Sequence, residues 1–164
     1  MSNAIERLLS LRVSDVMTRN LVQIPAHQTM GDAAQLMIRH EISGAPVVDE
    51  QGRCVGILSG FDFALREMAG CQSTESPRGR VEHVLVRDLP GQPYHIEDVP
   101  EDMVSTHMSP AVQTVNPSAT LMQAARAMCA AHIHRLVVLD EHAHPLGIVS
   151  SLDVVAALVK GIEE

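Results

Sequence analysis

The segment 56–62 reads GILSGFD, and the segment 147–153 reads GIVSSLD. Each is a short apolar run that ends in serine, with an aspartate three positions later. A shift of 91 residues, the separation of Asp62 from Asp153, brings the two segments into register. The agreement continues outward without a gap over roughly 13–66 and 104–157. The chain therefore contains an internal duplication, and the repeated unit decides the fold.

Each copy has the same expected order of elements. A helical turn and a short apolar run come first, followed by a helix with apolar residues at spacings of three and four. Two short strands joined by a turn and a final helix complete the unit. In the first copy we expect these elements at 14–17, 21–24, 29–38 (with Thr29 as the cap), 45–49, 53–58 and 60–69; in the second copy the two longer helices fall at 119–131 and 151–160.

The order β-α-β-β-α, given twice, predicts an α/β fold of the α+β type. A single unit of about 55 residues buries too little surface to be secure alone, so the two copies are expected to share a core. We divide the chain into a first repeat with an N-terminal helix (1–69), a connector insert (70–103) and a second repeat (104–164). The insert begins with a polar stretch at 71–80 and contains a turn at 89–93, which favours a connector over a functional lid.

Composition limits the classes of partner. The chain has a formal net charge of −8 and 2% aromatic residues, which argues against broad binding to a nucleic-acid backbone. No stretch approaches the roughly 20 apolar residues that cross a bilayer, so no membrane association is expected. Three cysteines without a paired motif favour a reducing compartment, and we expect a cytoplasmic protein.

Catalytic and metal motifs are not evident in the sequence. There is no HExxH, GxSxG or Walker motif, and neither repeated serine has a base at a matching position, so we expect a protein that is not an enzyme and needs no cofactor. Four histidines (132, 134, 142 and 144) lie close together in sequence, but two fall in an expected turn, where solvated polar residues are ordinary. We therefore expect no metal site.

The duplicated unit resembles the CBS domain family. The likeness is carried by VSDVMT (13–18) and VSTHMS (104–109) at the starts of the copies. At their ends it is carried by SGAPVVDEQGRCVGILSGFD (43–62) and HRLVVLDEHAHPLGIVSSLD (134–153). The resemblance implies a tandem CBS pair, or Bateman module, packed with pseudo-twofold symmetry. It also implies two clefts for adenosyl ligands such as AMP, ADP, ATP or S-adenosylmethionine.

The resemblance implies ligand contacts at a serine and an aspartate that open the last helix of each repeat. Here these are Ser59 with Asp62 and Ser150 with Asp153. A hydroxyl at a helix start suits a phosphate, and a carboxylate in the first turn can accept hydrogen bonds from both ribose hydroxyls. The alternative is a plain helix cap with serine at the N-cap, and the two roles are compatible.

The adenine slots implied by the resemblance are stretches beside exposed backbone. One combines Thr18–Val22 with Ser43–Val47, which includes Pro46; the other combines Ser109–Gln113 with 134–138. Backbone groups near Val22 or Gln113 would read the adenine edge. The alternative is that both are ordinary strand edges and turns.

The two implied sites are unequal. His134 and Arg135 precede a strand of the second copy, whereas the first copy has Ser43 and Gly44 there. Some nucleotide-binding relatives use such a pair on phosphate, facing the serine and aspartate of the other repeat. We therefore expect Ser59, Asp62, His134 and Arg135 to form the better phosphate site, with a surface ion pair as the alternative for Arg135. Pro46 has Val137 as its counterpart, so the second slot is expected to differ in shape or to be empty.

The function implied by the resemblance is that of a non-catalytic sensor. An adenosyl ligand would bind between the repeats, and a separate, unknown protein partner would respond to the change. The resemblance also implies a homodimer that pairs through the helices. The alternatives are a ligand-free dimer that acts as a structural scaffold, and a metal- or redox-responsive protein that uses the histidines and cysteines.

Overall fold

A computed structural model describes residue 6 and residues 9–72 and 102–163. The predicted polar loop at 71–80 lies mostly outside these residues, and the turn at 89–93 lies wholly outside them. Repeat one (9–72) contains α1 Val13–Val16, β1 Ile24–Pro25, α2 Met30–Arg39, β2 Gly44–Val48, β3 Cys54–Ser59 and α3 Gly60–Gln72. Repeat two (102–163) contains α4 Val104–His107, β4 Thr114–Val115, α5 Leu121–Ala131, β5 Arg135–Leu139, β6 Pro145–Ser150 and α6 Ser151–Glu163.

Each repeat forms a three-stranded sheet with the same topology. β1 pairs in parallel with β2, which pairs antiparallel with β3, and β4, β5 and β6 repeat this order. Both hairpins carry a register shift at the same place, between Val47 and Val48 and between Val138 and Leu139. The predicted mixed fold of two β-α-β-β-α repeats is confirmed.

The first long helix of each repeat begins at a threonine cap. The Thr29 hydroxyl accepts a hydrogen bond from the backbone N–H of Asp32, and the Thr120 hydroxyl accepts one from Gln123. These bonds satisfy donors that an uncapped helix would leave open. The apolar stripe behind each cap is buried against its sheet, through Met30, Ala33 and Met37 in repeat one and Leu121, Ala124 and Met128 in repeat two.

The entry segments of the two repeats, residues 13–18 and 104–109, each pack on the other repeat. Thr18 pairs with Ile148 of β6, and Ser109 pairs with Ile57 of β3, each through two backbone hydrogen bonds of 2.9–3.0 Å. Val13 belongs to the hydrophobic core of repeat two, and Val104 belongs to that of repeat one. Each core is therefore incomplete without residues from the other copy, which explains physically why the unit occurs as a pair.

The first strand of repeat one is shorter than the sequence predicts. The predicted apolar run is Leu21–Ile24, but strand pairing begins only at Ile24. Repeat two starts one position earlier in register, at Thr114 opposite Val137, and the Val137 N–H donates to the Gln113 carbonyl over 3.1 Å. The counterpart of Val137 is Pro46, which has no N–H to donate. Without this donor, the first hydrogen bond between the Leu21–Ile24 run and β2 cannot form.

Three polar side chains, Arg66 of α3, Asp102 and His107 of α4, connect the start of repeat two with the last helix of repeat one. Arg66 and His107 both contact the Asp102 carboxylate, one on each oxygen. Burial opposes ionisation of Asp102, but the hydrogen bonds and charges of Arg66 and His107 prevail and hold its pKa below the ordinary value. The group fixes α4, which is part of the entry segment of repeat two, against α3.

Replacing Asp102 with asparagine is expected to make stability less sensitive to acid. Because the folded-state pKa of Asp102 is lowered, its contribution is fully present above the ordinary value of 3.8 and is lost as pH falls through the lowered pKa. Denaturant unfolding measured at a series of pH values below and above 3.8 gives the free energy of unfolding of both proteins. The parent should be more stable than Asp102→Asn at the higher pH values, and this difference should shrink as the pH falls. Glu67→Gln is the control, because Glu67 meets Arg66 on the surface with an exposed side chain. If the difference in free energy of unfolding between the parent and Asp102→Asn did not change with pH, this account would be wrong.

Candidate functional site

A cleft of about 430 Å³ lies where the two repeats meet. One wall is formed by the stretch 18–22 of repeat one, the residues that follow α2 and the start of β2. The other wall is the end of β6, the first turn of α6 and the first residue of β5. The lining residues are Thr18, Asn20, Leu21, Val22, Glu41, Ile42, Ser43, Gly44, Arg135, Ile148, Ser150, Leu152 and Asp153.

Asp153 presents one carboxylate oxygen to this cleft. The Ser150 N–H and hydroxyl both donate to Oδ2 of Asp153, over 2.7 and 2.6 Å. The Asp153 N–H donates back to the Ser150 hydroxyl over 3.3 Å, so the pair also caps α6. No donor from the described residues reaches Oδ1. The half-buried carboxylate is thus held in place while one oxygen remains available to a ligand.

Asp62, the counterpart of Asp153, is enclosed instead. The Ser59 N–H and hydroxyl donate to Oδ2 of Asp62, over 2.7 and 2.8 Å. The Ser109 hydroxyl donates to Oδ1 over 2.9 Å, and only 3% of Asp62 is exposed. Both carboxylate oxygens are therefore already bonded. Thr18 stands at the position of Ser109 in the other half, but within the described residues it makes no such bond to Asp153.

The grouping of residues predicted from the sequence differs from the observed one. Arg135 was expected beside Ser59 and Asp62, but its Nη1 donates to the Ser43 hydroxyl over 2.7 Å, and the side chain lines the cleft of Ser150 and Asp153. Arg135 is the first residue of β5, where the repeats meet. The hydrogen bond to the Ser43 hydroxyl holds its side chain at this cleft.

His134 does not lie with Arg135. It lines an apolar groove of about 550 Å³ between α5 and α6, together with Cys129 and His132. Its carbonyl accepts the Ser151 N–H over 2.9 Å. The structure therefore places the two residues of the predicted phosphate pair at different sites, His134 in the groove and Arg135 in the cleft.

The backbone differs between the two predicted adenine slots. Pro46 is buried in β2 and cannot donate to the Val22 carbonyl, and no other donor from the described residues reaches that oxygen. In the other slot the Gln113 carbonyl is already bonded to the Val137 N–H. Val22 therefore provides a free acceptor in the open cleft, and Gln113 does not.

The remaining histidines and cysteines among the described residues form no common cluster. His144 contacts Asp140 in its own hairpin turn and the Gln51 carbonyl in the hairpin turn of the other repeat, each over 3.2 Å. Burial raises the pKa of the Cys54 thiol, which favours the unreactive protonated form. In the parts of the chain that are described, no three His, Cys, Asp or Glu side chains converge on a position that could hold a metal ion. No helix there is long and apolar enough to cross a bilayer.

Comparison with known protein families identifies the family of this chain. The model of the CBS domain matches residues 13–67 and 100–160, one match for each repeat. The chain belongs to the CBS domain family. The CBS domain-containing protein YhcV of Bacillus subtilis is 30% identical over 130 residues, which cover 79% of this chain and 74% of YhcV. The chloroplastic CBSX1 of Arabidopsis thaliana is 26% identical over 90% of this chain and 64% of its own length.

Solved CBS structures share the fold. CBSX2 in complex with AMP superposes with a TM-score of 0.68 at 22% identity, covering 94% of this chain and 99% of that one. The CBS domain pair of protein MJ0100, in complex with 5′-methylthioadenosine and S-adenosyl-L-methionine, has a TM-score of 0.63 at 21% identity, covering 93% and 98%. These matches show the shared fold, and the two family matches confirm that this chain is a tandem CBS pair.

Two cleft residues were not singled out from the sequence. Glu41 and Ile42 line the cleft but lie outside the stretches quoted above. A signal was present for Glu41, since it follows the helix Met30–Arg39 where glycine commonly ends a helix. Ile42 gives no comparable signal.

Proposed function

We propose that this CBS pair is a non-catalytic regulatory module that binds one adenosyl ligand in the cleft of Ser150 and Asp153. The observation that carries the proposal is that one cleft is lined by three residues that keep free hydrogen-bonding capacity among the described residues. They supply the Val22 carbonyl, Oδ1 of Asp153 and the Arg135 guanidinium, which uses one of its five N–H groups on Ser43. The described residues offer no such set at Asp62, because both of its carboxylate oxygens are already bonded.

The adenine ring suits the part of the cleft near Val22. Leu21, Ile42 and Ile148 supply apolar surface there, and the Val22 carbonyl is an acceptor of the kind that the adenine amino group requires. Pro46 contributes indirectly by leaving that carbonyl unpaired. The proposed base recognition therefore rests on backbone geometry that a single proline creates.

The ribose suits Asp153. Ser150 fixes one carboxylate oxygen, so the other keeps a defined direction and can accept hydrogen bonds from the sugar hydroxyls. Arg135 then faces the substituent on the ribose 5′ carbon. An anionic group there would gain a charge-assisted hydrogen bond from the guanidinium.

Binding would connect the two repeats. Thr18, Val22 and Ser43 come from repeat one, and Arg135 and Asp153 come from repeat two. A ligand that contacts both favours the arrangement of repeats in which these groups are closest, to the extent that its affinity differs between arrangements. A separate protein partner would respond to that arrangement. The adenosyl ligands bound by CBSX2 and the MJ0100 pair support the same ligand class.

A ligand-free scaffold is the second candidate. Its support is the apolar surface on the last helices, where Phe61 and Leu152 are 69% and 73% exposed. Exposed apolar side chains of this size favour contact with another protein surface, and a second copy of the chain is the occupant we propose. Homodimer formation through these helices is compatible with ligand binding and, like a cytoplasmic location, remains a proposal.

Thermal unfolding with AMP, ADP, ATP or S-adenosylmethionine separates the two candidates. A ligand at a hundredfold excess over its Kd is expected to stabilise the chain by about 2.7 kcal/mol. That corresponds to a rise of roughly 5–10 °C in Tm for a chain of this size. Guanosine and its nucleotides are the controls, since their base presents an oxygen where adenine has an amino group. No shift with any adenosyl compound would favour the scaffold.

A further inference from the structure

The charges that line the cleft are unequal in number. Among the described lining residues, Arg135 is the only cation, while Glu41 and Asp153 are both acidic. Asp153 is assigned to the ribose, which leaves Arg135 and Glu41 for the rest of the ligand. The chain as a whole has a formal net charge of −8, so its surroundings add no general attraction for anions.

Glu41 occupies a backbone position that ordinarily favours glycine. Its N–H donates to the Ile38 carbonyl over 3.1 Å, and the next N–H, of Ile42, donates to the Met37 carbonyl over 3.0 Å. This pattern is a Schellman motif, with Glu41 in the left-handed region at φ 53°. A side chain costs stability at this position, and such strain is concentrated at functional sites.

The same position in repeat two provides a comparison. His132 has φ 52°, and its N–H and that of Ile133 donate to the Cys129 and Met128 carbonyls in the same pattern. His132 lines the apolar groove between α5 and α6, not the open cleft. Glu41 lines the equivalent groove between α2 and α3 as well, but unlike His132 it also lines the open cleft.

On the basis of the proposed function, we propose that Glu41 selects adenosyl ligands whose 5′ substituent carries both an ammonium and a carboxylate, of the S-adenosylmethionine type, and rejects nucleoside polyphosphates. Arg135 would receive the carboxylate of such a substituent, and Glu41 would receive its ammonium. A polyphosphate would place several negative charges between one guanidinium and two carboxylates. A single phosphate is intermediate, because Arg135 alone can compensate it.

The test measures Kd by calorimetric titration of the full chain with S-adenosylmethionine, AMP, ATP and adenosine. The parent is expected to bind S-adenosylmethionine most tightly and ATP most weakly of the three charged ligands. Glu41→Gln keeps the size of the side chain and removes its charge. It should weaken S-adenosylmethionine binding and tighten ATP binding, each by about threefold to tenfold, with adenosine unchanged within about twofold. Opposite shifts for two ligands cannot arise from a general loss of structure.

Two glycine variants separate charge from backbone strain. Glu41→Gly and His132→Gly should both raise Tm, because each relieves a left-handed side-chain position. Only Glu41→Gly should also change the Kd values of S-adenosylmethionine and ATP in opposite directions. If the parent binds adenosyl ligands but prefers ATP, or if Glu41→Gln leaves the ratio unchanged, the selectivity is wrong and the proposed function stands. If the parent binds no adenosyl ligand, both are wrong.

Discussion

Asp153→Ala is expected to weaken binding of AMP and S-adenosylmethionine by roughly 30- to 150-fold, which corresponds to about 2–3 kcal/mol. The reason is that Oδ1 of Asp153 is the free carboxylate oxygen in the cleft, and hydrogen bonds to a charged acceptor are among the stronger ones. Stability should change little, by about 1 kcal/mol, because Asp153 is half-buried and its described partner is Ser150. Calorimetric titration and denaturant unfolding measure the two effects separately.

The matched control for this variant is Asp62→Ala. Asp62 stands at the same position of the repeated motif but is enclosed by Ser59 and Ser109. Its replacement should leave the Kd of the folded protein within about threefold of the parent value. If Asp62→Ala removed binding and Asp153→Ala did not, the ligand would occupy the other half of the module, and the site assigned to Asp153 would be wrong.

Asp62→Ala should instead have the largest effect on stability, lowering the free energy of unfolding by about 3 kcal/mol. The variant leaves three donors without their acceptor: the Ser59 N–H, the Ser59 hydroxyl and the Ser109 hydroxyl. They lie beside a side chain that is 3% exposed, where water replaces a lost partner poorly. The expected fall in Tm is roughly 6–12 °C.

Ser109→Ala tests the origin of that loss. It removes one donor to Asp62 and keeps the two from Ser59, so it should cost about 1 kcal/mol. Thr18→Ala, at the matching position of the other half, should cost less, because the Thr18 side chain makes no bond to Asp153. If Ser109→Ala and Thr18→Ala lowered the free energy of unfolding equally, the contact between Ser109 and Asp62 would not contribute to stability.

The sequence was sufficient for the fold because the evidence occurs twice. The serine and aspartate of GILSGFD return at the same spacing in GIVSSLD, and Thr29 and Thr120 cap equivalent helices. Periodicity and capping are local, so neighbouring residues specify them. The difference between Pro46 and Val137 is also visible in the sequence, and it predicts two unequal slots.

The arrangement of side chains within the clefts was not predictable from the sequence. The bond between Ser109 and Asp62 joins residues 47 positions apart, and the bond between Arg135 and Ser43 joins residues 92 apart. Both depend on which way a side chain turns at the junction of the repeats. The sequence groups Arg135 with Ser59 and Asp62, whereas the structure places it in the cleft of Ser150 and Asp153.

The most direct test of the proposed site is a crystal structure of the full chain grown with S-adenosylmethionine or AMP. The account predicts one ligand per chain, with the adenine amino group on the Val22 carbonyl, the ribose on Asp153 and the 5′ substituent beside Arg135. Density for a ligand at Ser59 and Asp62, with the cleft of Ser150 and Asp153 empty, would contradict it.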